Sequence, residues 1–275
     1  LKLTLSYDYK EKKLVLAVNQ KQVKKGRPAF KFKLPLQLAG GKTVVAELSQ
    51  EDQTVSWDAS SRPKWAAIDP ALAALAEYEL EWPEDMLLAE LADGPTGVDR
   101  ALAAEALAKK GSPKVVAALA DCLKKDKFWG TAATCAEGLA KTGGKAALDA
   151  LVAGAGHKEA RVRRAVANAL GGFTRKPEAL AALKPLAADE SWHVQGDALR
   201  AIGSLRLPES RGILESRLDD KSWHDAVAAG ALDGLGRLKD VSLLPVFEKW
   251  MGVGHSIYAR DAALVAYARA AESKD

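Results

Sequence analysis

The chain has little of what reaction centres are made from. Its 275 residues include four histidines, two cysteines and two methionines. No His-Glu-x-x-His occurs. His157-Lys158-Glu159 lacks the second histidine that would set two ligands one helical turn apart on a zinc face. There is no Gly-x-Ser-x-Gly elbow and no P-loop. Gly154-Ala155-Gly156 follows a helical pattern and not a strand, so it reads as a turn and not as a dinucleotide fingerprint. Cys122 and Cys135 match no zinc or redox spacing. Both lie beside Ala and Leu on helical patterns, which reads as two buried free thiols, and they do not fix the compartment. No run approaches the roughly 20 apolar residues that a membrane span needs. Leu1 to Leu5 alternates apolar and polar with no apolar signal core behind it. The chain opens without Met inside a strand pattern, which suggests a piece of a longer polypeptide, monomeric as a fragment, with a processed mature protein as the alternative. No catalytic residue, metal ligand or cofactor is expected on this chain itself.

What is there is a ladder. Leu107, Leu139, Leu170, Ile202 and Leu235 recur about every 32 residues. Leu119, Leu151, Leu183, Leu214 and Phe247 run in step with them. Each period thus holds two apolar helical stretches, the signature of a stacked helical-pair solenoid. Helices are expected at about 84–93, 97–110, 113–125, 129–141, 144–153, 158–172, 177–188, 192–205, 209–219, 223–238, 240–251 and 256–272. Gly111-Ser112-Pro113, Gly143-Gly144 and Leu207-Pro208 separate members of pairs, as the capping preferences of Gly and Pro require. Small residues such as Ala165, Ala167 and Ala169 let first helices stack closely.

Residues 1–68 alternate with period two instead. Leu1, Leu3 and Leu5 are followed by Leu14, Leu16 and Val18, then by Phe30, Phe32, Leu34, Leu36 and Leu38. Shorter runs lie at Thr43–Leu48, Thr54–Trp57 and Lys64–Ile68. Six short antiparallel strands with one face each on a core form a small sandwich. Pro35 implies an edge position or a bulge for the third strand. The fold class is therefore α+β in separate domains: a small N-terminal antiparallel β-sandwich at 1–70, a connector at 71–83, and an all-α HEAT-like superhelix at 84–275. The connector has a short helical tendency over Ala71 to Glu77.

Charge is uneven. Residues 1–70 hold 13 Lys and Arg against 7 Asp and Glu, whereas the rest holds 27 against 29. A basic β module raises nucleic acid as a partner, but Lys31 and Lys33 in alternation with apolar residues are what the wet face of a strand shows. The repeats are slightly acidic, so nucleic acid is not expected to bind them.

Candidate contact residues cluster before the first helices. Ser191-Trp192-His193 and Ser222-Trp223-His224 echo each other. Trp192 and Trp223 read either as binding anchors or as wedges between repeats with the indole N–H on a turn carbonyl, the wedge being favoured. His193, His224 and His255 are 31 residues apart and read as repeat-equivalent turn residues or as a pH-sensitive stripe. Repeats stack about 10 Å apart, too far for one shared metal. Arg161, Arg163 and Arg164 crowd one helix start, with Arg161 and Arg164 on one face. They form either a salt-bridge ladder to adjacent repeats or a site that captures a carboxylate.

The β block also carries a resemblance. Asn19-Gln20-Lys21-Gln22, Phe30-Lys31-Phe32-Lys33-Leu34-Pro35-Leu36, Trp57, Pro63-Lys64-Trp65 and Ile68-Asp69-Pro70, followed by a helical array, resemble the C-terminal half of aminopeptidase N-type zinc metallopeptidases. The resemblance covers 1–70 by motif and 84–275 by architecture alone. It implies a sandwich and a helical domain that follow a thermolysin-like catalytic domain, wall off its cavity and limit which peptides enter. It implies zinc in that upstream domain and none here, and it transfers no catalytic residue to this chain. Its implied partners are the catalytic domain of the same polypeptide and the peptide substrate. The other reading is a stand-alone HEAT-like scaffold, or a catalytically dead relative acting as an adaptor.

Overall fold

The computed structural model describes residues 1–272, so the last three residues of the expected helical domain lie outside the described residues. The chain forms two compact units, Leu1–Thr142 and Gly143–Asp275.

In the first unit seven strands form two sheets. They are β1 (Lys2–Asp8), β2 (Lys13–Asn19), β3 (Phe32–Leu38), β4 (Thr43–Leu48), β5 (Asp52–Asp58), β6 (Ala66–Ile68) and β7 (Glu79–Glu81). The sheet orders are β5-β2-β1-β7 and β4-β3-β6. Alternation sets the buried faces: Leu3, Leu5, Leu14, Leu16 and Val18 in one sheet, Leu34, Leu36, Leu38, Val44, Ala46 and Leu48 in the other. Gly40 and Gly41, both at positive φ, close the β3–β4 hairpin in a conformation other residues rarely adopt.

Four details depart from expectation. The connector supplies a seventh strand, β7, which pairs with β1 and does so in parallel. Ala71 to Glu77 forms no helix, because the buried Asp69 carboxylate accepts the Ala73 and Ala74 N–H groups at 3.0 and 2.9 Å and the Tyr78 hydroxyl at 3.0 Å. β3 is central and not an edge. Pro35 fits because its carbonyl accepts Asp69 N–H at 2.8 Å, which puts its missing N–H on the same side, beyond the end of three-residue β6. Finally, the strand starts at Phe32, so Phe30 is exposed and outside the core.

Gln20 explains why Phe30 stops short of the strand. It is fully buried, and its side chain takes the place of a neighbouring strand. Its Oε1 accepts Phe30 N–H at 2.9 Å, and its Nε2 donates to the Phe30 and Gln50 carbonyls at 3.0 Å each. Gln20→Ala leaves three backbone groups without partners. The expected cost is about 1–3 kcal/mol, read as a lower urea midpoint with an unchanged slope.

Four helices complete this unit: α1 (Glu84–Asp93), α2 (Gly97–Ala108), α3 (Pro113–Lys125) and α4 (Trp129–Thr142). Thr96 and Asp99 form a reciprocal capping box on α2, and Ser112 caps α3 ahead of Pro113. Cys122 on α3 and Cys135 on α4 are buried as expected, but they form a disulfide and are not free thiols. The helical hairpin brings their Cα atoms to 6.3 Å, within bridging reach.

The second unit is all helical: α5 (Gly144–Gly154), α6 (Ala160–Leu170), α7 (Pro177–Leu186), α8 (Trp192–Leu205), α9 (Ser210–Glu215), α10 (Ala226–Arg237), α11 (Leu244–Met251) and α12 (Ile257–Ala271). All ten rungs of the two sequence ladders are 0% exposed across the two units. The stack is tightest between α8 and α10. A Cβ on Gly203 would lie 2.1 Å from the Gly234 carbonyl oxygen, and one on Gly230 would lie 2.4 Å from that of Gly196. Backbones touch there, and nothing larger than glycine fits.

Candidate functional site

A cavity of about 510 Å³ opens on the helix starts of the second unit. α8 contributes Trp192, His193, Asp197 and Arg200; α10 and the turn before it contribute Trp223, His224 and Asp233; α12 contributes Tyr258, Asp261 and Arg269. Arg164 on α6 lines it too. Residues one helical turn apart share a face, so each helix presents a polar row at the floor and a ring at the rim.

The floor is a charge ladder. Arg164 Nε donates to Asp197 at 2.8 Å, and Arg200 Nη1 donates to the other Asp197 oxygen at 2.6 Å. Arg200 and Arg269 both bond Asp233, and Arg237 reaches it at 3.3 Å. Arg164–Asp197 and Arg200–Asp233 each span 33 residues between neighbouring repeats, the second pair set one helical turn further along. Burial by itself would raise the Asp233 carboxyl, but Arg269, Arg237 and Arg200 outweigh it and hold it below its usual value. The same carboxylates hold Arg200 charged against its own burial. Four guanidiniums meet two carboxylates in this ladder, and with Asp261 the cavity lining itself sets three arginines against three aspartates. Arg164 and Arg269 each bond a carboxylate through one nitrogen, so further N–H groups remain to point at a ligand.

The rim is aromatic. Trp192 is 47% exposed, Trp223 59% and Tyr258 59%. Trp223 lies flat on His224 at 3.9 Å between centroids, and His224 stacks toward Tyr258 at 5.7 Å. The stack depends on an unusual turn. His224 and Asp225 both have left-handed backbones, so α10 begins at Ala226 and not at Trp223 as the periodicity implies. Ser256 holds the turn: its N–H donates to Asp225 at 2.8 Å and its hydroxyl to the His224 carbonyl at 2.7 Å. Two such residues in a row cost about 1–3 kcal/mol each, strain that gathers where a side chain must be aimed.

Of the candidate residues, Arg164, Trp192, His193, Trp223 and His224 meet at this cavity. Arg161 is exposed on α6 and outside the lining. His255 faces Trp250 instead, with centroids 4.0 Å apart. The wedge reading of the tryptophans is overturned: both are exposed, because glycine contacts between α8 and α10 leave no room for an indole. The ladder reading of the arginines holds. Arg163 pairs bidentately with Asp189 at 2.7 and 2.8 Å and Arg164 pairs with Asp197. Asp197, Arg200, Asp233, Tyr258, Asp261 and Arg269 escaped sequence reasoning. The signal for the first three was present, as Arg-to-Asp spacings of 33 residues from Arg164 and from Arg200. Among the described residues no group of three His, Cys, Asp or Glu is placed to hold a metal ion. No described helix is long and apolar enough to cross a membrane.

Among solved structures, Legionella pneumophila aminopeptidase A in complex with aspartic acid is similar over 98% of this chain, at 14% identity and a TM-score of 0.57. Kap121p is similar over 68% of it, at 18% identity and a TM-score of 0.50. This chain spans 39% of the length of the aminopeptidase and 23% of that of Kap121p. At these identities the likeness speaks to fold. No curated protein sequence matches the chain. The model for HEAT repeats matches residues 84–171, 118–202, 154–229 and 186–268, more than half of the chain, and the protein belongs to the HEAT-repeat family.

Proposed function

We propose that this chain is the non-catalytic C-terminal region of a zinc aminopeptidase-like polypeptide, which scaffolds the catalytic domain and limits peptide access to it. The observation that carries the reading is the span of the likeness to the Legionella aminopeptidase. It takes in the β unit as well as the repeats, at 98% of the chain, where repeats alone would account for the 68% shared with Kap121p. Zinc, on this reading, belongs to the upstream domain, where it activates water. The cavity on α8, α10 and α12 holds the distal end of a peptide. Leftover guanidinium donors suit a carboxylate, and the Trp223–His224–Tyr258 stack suits the side chain beside it.

Two experiments test it. The coding sequence upstream of Leu1 should encode His-Glu-x-x-His with a further Glu at helical spacing; an unrelated domain there would leave a stand-alone scaffold. A short peptide with a free C-terminal carboxylate, titrated against the tryptophan fluorescence of the chain, should bind at least about tenfold tighter than its C-terminal amide, a gap of about 1.4 kcal/mol. Trp223→Ala should weaken the carboxylate form, and equal binding of acid and amide would remove the carboxylate assignment.

A further inference from the structure

We propose that the N-terminal unit carries a docking surface for an acidic protein segment with an apolar anchor. The surface is built from residues of that unit alone.

The first observation is charge. Residues 21–33 hold six basic side chains and no acidic one. Lys21 pairs with Glu79 and Lys33 with Glu47. Lys24, Lys25, Arg27 and Lys31 are exposed and have no ion pair among the described residues. The second is apolar exposure at the same place. Phe30 is 54% exposed and Leu75 fully exposed, and both line a concavity of about 760 Å³ together with Lys25 and Arg27. Glu77 is the one carboxylate in its lining.

The third observation is that this surface is built. Buried Gln20 clamps the backbone of Phe30 on both its N–H and its carbonyl. Buried Asp69 clamps the Ala73 and Ala74 N–H groups and so fixes the loop that carries Leu75. Two wholly buried polar side chains therefore hold two segments that bury nothing themselves. An apolar centre flanked by four cations, of which Lys25 and Arg27 are unpaired among the described residues, matches a partner of opposite design: apolar anchor, acidic flanks. Concavity favours a protruding chain segment over a flat lipid surface.

The test uses a fluorescein-labelled octapeptide, Glu-Glu-Asp-Leu-Phe-Asp-Glu-Glu, made as its C-terminal amide, with anisotropy read against the full chain. Saturable binding is expected, weakening as salt rises from about 50 to about 200 mM. The double reversal Lys25→Glu with Arg27→Glu should weaken it at least about tenfold. Phe30→Ser should weaken it several-fold, with an unchanged thermal melt because Phe30 packs in no core. Replacing Leu-Phe in the peptide by Ser-Ser should do the same. Absence of binding, indifference to the charge reversal, or equal affinity for the Ser-Ser peptide would overturn the proposal. So would capture of phosphatidylserine vesicles or single-stranded DNA by the same residues in place of the peptide.

Discussion

Arg163→Ala is expected to destabilise the protein by about 3–5 kcal/mol, the cost of leaving a buried charge without its partner. Arg163 and Asp189 side chains are 10% and 8% exposed, and the pair is bidentate. Arg163 also donates to the His157 and Lys158 carbonyls at 3.0 Å each, tying the turn before α6 to the turn after α7. Asp189 in turn accepts Ser191 N–H at 2.9 Å at the start of α8. The first unit repeats the device. Arg100 donates to Asp126 at 2.7 and 2.9 Å and to the Gly94 carbonyl, and Asp126 accepts Phe128 N–H at 2.8 Å. In both places one arginine joins two turns, so its removal unpins more than an ion pair.

The effect has a pH signature. Burial alone would raise the Asp189 carboxyl, but Arg163 and the Ser191 N–H outweigh it and leave it below its usual value. A depressed carboxyl gives stability that is present above the ordinary carboxylate range and is lost as pH falls through the lower folded value. The gap between wild type and Arg163→Ala should therefore be widest near neutrality and shrink in acid. Urea melts across that range measure it. A gap that stayed constant down to strong acid would mean that the loss is one of packing and not of charge.

How much of this was legible in the sequence depends on the range of the physics involved. The ladder residues Leu107 to Leu235 and Leu119 to Phe247 repeat because each repeat solves the same local burial problem, and all ten are buried. Helix ends at Ser112-Pro113 and Gly143-Gly144 were legible for the same reason: caps are local. What failed was set by distance in space. Joining Cys122 to Cys135 needs the angle of a helical hairpin. The exposure of Trp192 and Trp223 follows from Gly196, Gly203, Gly230 and Gly234, whose close approach closes the gap a wedge would fill. β7 comes from a stretch too short to show a period, and it is placed by its partner β1. Half of the cavity was legible, as the Trp-His echo. The charged floor was not, because each Arg and Asp taken singly looks like any solvated helix position.

Glu90 yields the second large effect. On α1 it is 0% exposed, both its oxygens lack hydrogen-bond partners, and so does the buried Trp82 Nε1. Burial, with a smaller contribution from Asp99, pushes the Glu90 carboxyl well above its usual value. The sign is opposite to that of Asp189. A raised carboxyl is protonated in the folded chain and ionised in the unfolded one. Its contribution is therefore complete in acid and is lost as pH rises through the folded value. Glu90→Met keeps the volume and removes the group that must stay neutral. The variant should match wild type near pH 4 and exceed it by about 1–4 kcal/mol near pH 8, the range seen when buried charged groups give way to apolar ones. Denaturant midpoints at the two pH values measure this. A variant less stable than wild type at the higher pH would show that Glu90 is held by interactions its surroundings do not suggest. With both limbs intact, stability rises out of acid as the paired aspartates ionise and falls again as Glu90 is forced to. Glu90→Met should flatten the falling limb, and Arg163→Ala should lower the rising one by the share of Asp189 alone, because Asp126 and Asp233 are also held below their usual values.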